Sequence, residues 1–259
     1  MDYAVISDVH GNLEALSTVL ADISARSRNG GPKILFLGDA VGYGPDPNAC
    51  VAAIREGVFR GVAGNHDWAV LGLTGVTFFN AYARAAITWT EEALTPESRS
   101  ALEALPLVKS MEPDGFFLVH GTPYEPEEWH YLLYLSQAPL NFAHFRQRIC
   151  LIGHSHLPFV MEQMPSGEIF YSALKGQGEQ NGRQTVRLKP DCRYIINAGS
   201  VGQPRDGDPR SCYLLLSGDE TGFVEAGFVR LPYDVAATQR KIKEAGLPQP
   251  LADRLAKGL

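Results

Sequence analysis

The sequence predicts a layered α/β fold, and three observations carry that prediction. Continuous apolar runs at residues 3–6, 34–37, 116–119 and 149–152 read as strands buried on both faces. Helix-period segments follow the first two runs, giving two βα units in a row. Each run also feeds a polar segment that holds Asp or His beside Gly. In an open α/β sheet such strand ends gather at one edge, where ligands bind.

Taken in order, the first run leads to Asn12, a candidate cap for a helix through about Ser27 in which Leu13, Leu16, Leu20 and Ile23 share a face. Asn29-Gly30-Gly31-Pro32 stops that helix. The second strand ends at Gly38-Asp39, and residues 47–56 read as a second helix. A weaker run at 58–63, broken by Arg60 and Gly61, precedes Gly64-Asn65-His66-Asp67. Residues 68–111 are helix-prone, best at 78–93 and 96–105. They read as an insertion that either covers the site or packs beside the sheet. Residues 124–148 form a second connection, with an aromatic cluster at Trp129, His130, Tyr131 and Tyr134. Beyond His156 the pattern turns to strands at 159–164, 169–172, 184–188, 194–197, 211–216 and 222–231, and residues 235–259 close with one or two helices. No repeat or linker divides the chain, so one domain over 1–259 is expected.

Composition narrows the function classes. A chain of 259 residues can bury a full core. Its net charge of −6 argues against an extended nucleic-acid surface, because counterion release needs clustered Lys and Arg. There is no 18-residue apolar stretch, so no membrane span is expected. No secretion signal is visible, and Cys50, Cys150, Cys192 and Cys212 are widely spaced, so reduced thiols and a cytoplasmic location are expected.

Five segments carry the chemistry: Asp8-Val9-His10-Gly11-Asn12, Gly38-Asp39, Gly64-Asn65-His66-Asp67, His120-Gly121 and Gly153-His154-Ser155-His156. Together they hold five of the seven histidines. Such a supply of carboxylate, imidazole and amide donors fits two metal ions sharing one carboxylate, an arrangement that clamps a phosphoryl group and activates a water. His154 and His156 alternate with Ser155, so on an extended segment both imidazoles point the same way. Asp39 taken alone is a common loop cap; within this set it is the candidate bridge.

In this order at strand ends, the motifs resemble the calcineurin-like metallophosphoesterase superfamily. The motifs run from Asp8 to His156, and the strand pattern extends the likeness to about Leu216. The wording Ser7-Asp8-Val9-His10-Gly11-Asn12 and Asn197-Ala198-Gly199-Ser200-Val201-Gly202 is similar to the small single-domain phosphodiesterases of bacteria and archaea. The resemblance implies a two-sheet ββ sandwich flanked by helices, with the strands after His156 forming the second sheet. It implies that Asp8, His10, Asp39 and His156 hold one ion and that Asp39, Asn65, His120 and His154 hold the other. The expected cofactor is a pair of divalent ions, Mn²⁺ first, with Fe, Zn²⁺, Ni²⁺ or Mg²⁺ compatible with the same donors. A hydroxide bridging the ions would be the nucleophile.

By the same analogy His66 protonates the leaving oxygen or stabilises charge there, and Asp67 either orients His66 or caps a helix starting near Trp68. Arg205, in a turn-rich loop, either grips a phosphate or is solvated. Tyr43, Trp68 and Tyr124 are candidate pocket walls or packing residues. His130 and His144 fall outside the motifs and read as structural or surface residues. The protein Ser/Thr phosphatases of the superfamily carry Arg in Gly-Asp-x-Val-Asp-Arg-Gly, whereas this chain reads Gly38-Asp39-Ala40-Val41-Gly42-Tyr43-Gly44. Without that Arg, a phosphodiesterase acting on a small phosphoester or nucleotide is expected. The alternatives are a monoesterase, a nucleotide or dinucleoside polyphosphate phosphatase, and a catalytically inactive metal-binding scaffold. The oligomeric state is not legible.

Overall fold

The computed structural model describes residues 2–26, 31–174, 183–219 and 222–259. Along β1 (Asp2–Ile6), Tyr3 and Val5 face one apolar core, while Ala4 and Ile6 face another. A strand with no solvent face must lie within a sheet that is covered on both sides. β1 lies between β2 (Lys33–Phe36), which runs parallel to it, and β11 (Ser211–Asp219), which runs antiparallel. The full order of this sheet is β3–β2–β1–β11–β12–β9, with β3 at Val58–Gly61, β12 at Gly222–Leu231 and β9 at Arg183–Arg187.

The second sheet has the order β4–β5–β6–β10–β7–β8. Its strands are β4 (Val108–Met111), β5 (Phe116–Val119), β6 (Ile149–Ile152), β7 (Phe159–Gln163), β8 (Ile169–Ala173) and β10 (Arg193–Asn197). Tyr3, Val5, Leu35 and Leu214 from the first sheet meet Phe116, Leu118, Leu151 and Tyr194 from the second in one buried core. The fold is thus two mixed six-stranded sheets packed face to face, with helices outside.

Helices α1 (Leu13–Ala25), α2 (Pro47–Gly57), α4 (Ala81–Ala93) and α5 (Pro96–Glu103) cover the first sheet through Leu16, Val19, Ile54, Ile87 and Leu102. Asn12 caps α1 by accepting the N–H of Ala15 at 3.1 Å. The expected end of α1 at Ser27, and Asn29 and Gly30 of its stop signal, lie outside the described residues. The outer face of the second sheet packs on α6 (Ala138–Phe142) through Phe142. The chain closes with α7 (Val235–Glu244) and α8 (Gln249–Asp253), whose Ile242 and Leu251 join Tyr43 and Ala83 in a fourth cluster.

Two expectations need correction. The strands after His156 do not form the second sheet by themselves: β9, β11 and β12 extend the first sheet, while β7, β8 and β10 complete the second. A run of apolar strands shows burial but not which sheet takes each strand, because both sheets share one interior. Also, residues 68–111 are not all helical insertion, since Val108–Met111 is the edge strand β4, paired antiparallel with β5. Its sequence, Val-Lys-Ser-Met, shows little apolar signal because an edge strand is only partly covered. The helices of this stretch pack on the sheet, and the loop between α3 (Asn65–Val70) and α4 lines the cleft described below.

Candidate metal centre

The parallel strands β1, β2 and β3 of one sheet and β5, β6 and β10 of the other release their loops toward a common site. The backbone there departs sharply from strand geometry. Eight described residues other than glycine have a left-handed φ, and six of them are Asp8, His10, Asp39, Tyr43, His154 and His156. That region is uncommon for residues with a Cβ and marks sites where the surroundings impose the conformation. His154 and His156 do not lie on an extended segment. With φ of 65° and 61°, their rings diverge to two different groups.

One group is Asp8, His10 and His156, and the other is Asp39, His120 and His154. Asp39 sits between them, with Oδ2 3.6 Å from His10 Nε2 and 3.3 Å from His120 Nε2. Its Oδ1 accepts the N–H of His66 at 2.9 Å, so a single oxygen faces both groups. Asn65 joins the second group, with Oδ1 3.1 Å from His120 Nε2. Asp8 Oδ1 lies 3.2 Å from His156 Nε2. All seven side chains are buried.

The tautomers decide what this cluster can hold. A main-chain carbonyl only accepts hydrogen bonds, so a ring nitrogen facing one must carry the proton. His10 Nδ1 donates to Val41 O at 3.1 Å, and His156 Nδ1 donates to Gln203 O. Both Nε2 atoms are therefore bare lone pairs, yet they face each other at 3.1 Å. The second group repeats the pattern. His120 Nδ1 donates to Leu37 O at 2.7 Å and His154 Nε2 to Trp129 O at 2.8 Å. That leaves His120 Nε2 and His154 Nδ1 facing each other at 3.2 Å, with the Asn65 oxygen beside them. Acceptor faces acceptor at two places on either side of one carboxylate. Burial pulls the His120 imidazole down in pKa, but Asp39 and Asp8 still push it up to about 9, so a proton can relieve one place. A divalent cation at each place relieves both, and the donor set of imidazole, carboxylate and amide oxygen suits it.

The comparisons with known proteins agree with this chemistry. The description of the calcineurin-like phosphoesterase superfamily domain matches residues 1–221. The chain belongs to that superfamily. It is 39% identical to an uncharacterized protein of Methanocaldococcus jannaschii over 98% of this chain and 97% of the relative. A crystal structure of a metallophosphoesterase from Sphaerobacter thermophilus covers 100% of both chains at 38% identity and a TM-score of 0.83. A hypothetical protein from Pyrococcus horikoshii shares the fold, with a TM-score of 0.73 at 20% identity over 100% of this chain and 98% of that one.

Around this metallophosphoesterase centre the remaining candidates separate. His66 lies in the first turn of α3 (Asn65–Val70), and a ring nitrogen comes within 4.8 Å of the ligating atoms of His10 and Asp39. Its ring packs between Tyr43, at 4.5 Å between centroids, and Phe79, at 4.9 Å. Burial, opposed by Asp39 and assisted by Arg205, lowers its pKa to about 4, so the imidazole is neutral. Nδ1 lies over Gly42, where any Cβ would collide with it, and has no hydrogen-bond partner among the described residues.

Asp67 is not the partner of that imidazole. Its Oδ2 accepts the N–H of Asp39 at 2.8 Å and of Gly64 at 3.0 Å, and its Oδ1 accepts that of Ala40 at 2.9 Å. The helix begins at Asn65, not near Trp68, and Asp67 in its first turn reaches back to Gly64 and across to the Asp39 loop. Asn197 and Ser200 brace the other side. Asn197 Nδ2 donates to Ser155 Oγ at 3.0 Å, and Ser200 Oγ donates to Asp8 O at 2.9 Å.

A cleft of about 230 Å³ opens over His66, Asn65 and His154, and both Tyr43 and Arg205 line it. Trp68 and Tyr124 do not: Trp68 packs edge-on against Trp129, and Tyr124 stacks on His130. Sequence reasoning missed Tyr131, which stacks on His154 at 4.0 Å between centroids, and the cleft residues Phe78 and Arg254. Tyr131 stood in a visible aromatic cluster. Arg254 sits in a motif-free helical tail, and only the path of the chain brings it to the site.

Proposed function

We propose that this chain is a dinuclear metal-dependent phosphodiesterase, with Mn²⁺ as the resident metal. The observation that carries the reading is the pair of lone-pair confrontations flanking Asp39 Oδ2. Asp8, His10 and His156 would hold one ion, Asn65, His120 and His154 the other, and Asp39 would bind both. When bound, the two ions supply charge to polarise a phosphoryl group and to activate a water.

The chain's own groups do the rest. The carbonyls of Val41, Gln203, Leu37 and Trp129 fix which nitrogen of each imidazole is bare. Asp67 fixes the loop that carries Asp39. Neutral His66 supports the leaving oxygen as an N–H donor, and Tyr43 fixes its ring. Arg205, in the cleft wall, would hold phosphate oxygens.

The diester preference rests on the segment after Asp39, where Val41, Gly42 and Tyr43 offer no cation to a dianionic monoester. Arg254 in the same cleft favours the second reading, a nucleotide or dinucleoside polyphosphate phosphatase, because it adds positive charge. A small phosphoester is the proposed partner. The four cysteines are buried thiols that form no disulfide, and the proposed location is the cytoplasm.

The test is a Mn²⁺-supplemented panel of aryl diester, aryl monoester, cyclic nucleotides, dinucleoside polyphosphates and single-stranded nucleic acid. Chelation should abolish turnover, and the aryl diester should give the higher kcat/KM of the aryl pair. A monoester preferred by tenfold or more would overturn the diester assignment, and full activity in metal-free protein would overturn the whole reading.

A further inference from the structure

Two arginines line the cleft beside one tyrosine ring. The Arg205 guanidinium lies 5.8 Å from the Tyr43 centroid, and that of Arg254 lies 6.0 Å from it. Neither has an Asp or Glu partner among the described residues. The acids beside Arg205 are already engaged: Asp206 pairs with buried Arg230, and Asp208 pairs with Arg210. Arg205 spends Nε and Nη2 on the Gln203 side-chain oxygen, at 3.3 and 2.9 Å. Arg254 spends Nε on the main-chain oxygen of Leu259. Arg205 Nη1 and both Nη groups of Arg254 have no protein acceptor among the described residues. Glu128, the acid in the cleft wall, is exposed and forms no ion pair with either.

The pair is held in place. The loop of Arg205 and the tail of Arg254 are joined by a hydrogen bond from Gly207 N to Gly258 O at 3.0 Å. Gly258 has a φ of +63°, and a Cβ there would come within 2.6 Å of the Asp208 backbone. Burial first, and then the charge of Arg205, hold the Arg254 guanidinium below its ordinary range. Two like charges fixed in a partly buried cleft, with donors unspent, are unfavourable until an anion sits between them.

We propose that Arg205 and Arg254 form a subsite for a second phosphoryl group of the substrate, distinct from the one cleaved. The substrate class is a phosphodiester whose retained portion carries a further phosphate. The inference rests on the phosphodiesterase reading above, and it assigns both arginines to recognition instead of to the scissile group. Arg254 is then a specificity residue delivered by the turn that ends α8.

The experiment compares thymidine 5′-(p-nitrophenyl phosphate) with the same ester bearing a 3′-phosphate, on Mn²⁺-loaded wild type, Arg254→Gln, Arg254→Lys and Arg205→Gln. Two charge-assisted contacts should give wild type a preference of roughly tenfold to a hundredfold in kcat/KM for the 3′-phosphorylated ester. Arg254→Gln and Arg205→Gln should each bring that ratio down toward unity, and Arg254→Lys should keep part of it. Calorimetric binding of thymidine 5′-phosphate and thymidine 3′,5′-bisphosphate to the same proteins should show the same loss.

A preference that survives Arg254→Gln overturns the subsite. So does an equal loss on both esters, which would place the arginines on the scissile phosphate. If neither ester is cleaved but the bisphosphate binds tighter in an Arg254-dependent way, the subsite stands and the phosphodiesterase reading fails. If both esters are cleaved equally by every protein, the reading stands and the subsite fails.

Discussion

Asp67 Oδ2 accepts the main-chain N–H of Asp39 at 2.8 Å, so the carboxylate beside His66 in sequence serves the neighbouring loop. Asp67→Asn turns one acceptor oxygen into a donor that must face either the Asp39 and Gly64 N–H groups or those of Ala40 and Val41. The expected cost is roughly 1–3 kcal/mol of stability, because buried donors lose their acceptor. Thermal melts should show a lower Tm, and elemental analysis a lower metal content. Unchanged melting and metal content with a fall in kcat alone would restore Asp67 to the role of orienting His66.

Asp39 Oδ2 faces both ligand groups, at 3.6 and 3.3 Å from His10 and His120. Asp39→Asn should therefore reduce occupancy at two sites together, whereas His156→Ala should chiefly affect one. Elemental analysis after dialysis separates the two. Full two-metal stoichiometry in Asp39→Asn would show that another group joins the ions.

His66 is held neutral, with its pKa near 4, and lies in the cleft floor. His66→Ala should leave the metals bound and lower kcat by roughly a hundredfold, the scale of a lost acid or transition-state donor. The loss should shrink for esters with acidic leaving groups. His66→Gln retains an N–H donor and should recover part of the rate. Loss of metal in either variant would make His66 a ligand.

His120 gives a pH dependence with a definite sign. In the metal-free protein burial lowers its pKa, but Asp39 and Asp8 raise it to about 9, above the unfolded value near 6.5. Its proton stabilises the metal-free fold fully below pH 6.5, and that contribution is lost as pH rises through about 9. Binding an ion at this imidazole expels the proton. Near pH 7 binding should release about one proton per molecule at this site, and affinity should rise with pH until about 9. Calorimetry in buffers of different ionisation enthalpy measures the release. No proton release would mean that His120 is already neutral.

The motif residues and the strands that lead to them were legible because each signal is local. An apolar run such as 149–152 marks a strand with no wet face, and Gly153-His154-Ser155-His156 marks its end. What was not legible depends on where distant segments meet. The division of the later strands between the sheets depends on pairing partners, such as β11 beside β1, that no local pattern encodes. The tautomers depend on main-chain oxygens of Val41, Gln203, Leu37 and Trp129, and any residue type supplies a carbonyl. Asp67 next to His66 suggested a pair by proximity in sequence, but a helical turn points neighbouring side chains in different directions.

The left-handed backbone at Asp8, His10, Asp39, His154 and His156 sets stability against activity. Gly or Asn adopts that conformation more easily, a relief on the order of 1 kcal/mol per position, and also disperses the buried charge and facing lone pairs. Directed evolution for heat resistance in chelator, with no screen for turnover, would accumulate its gains at these five positions first. The sturdiest descendants of this protein would be inert, and any thermostabilising campaign must look for its gains elsewhere.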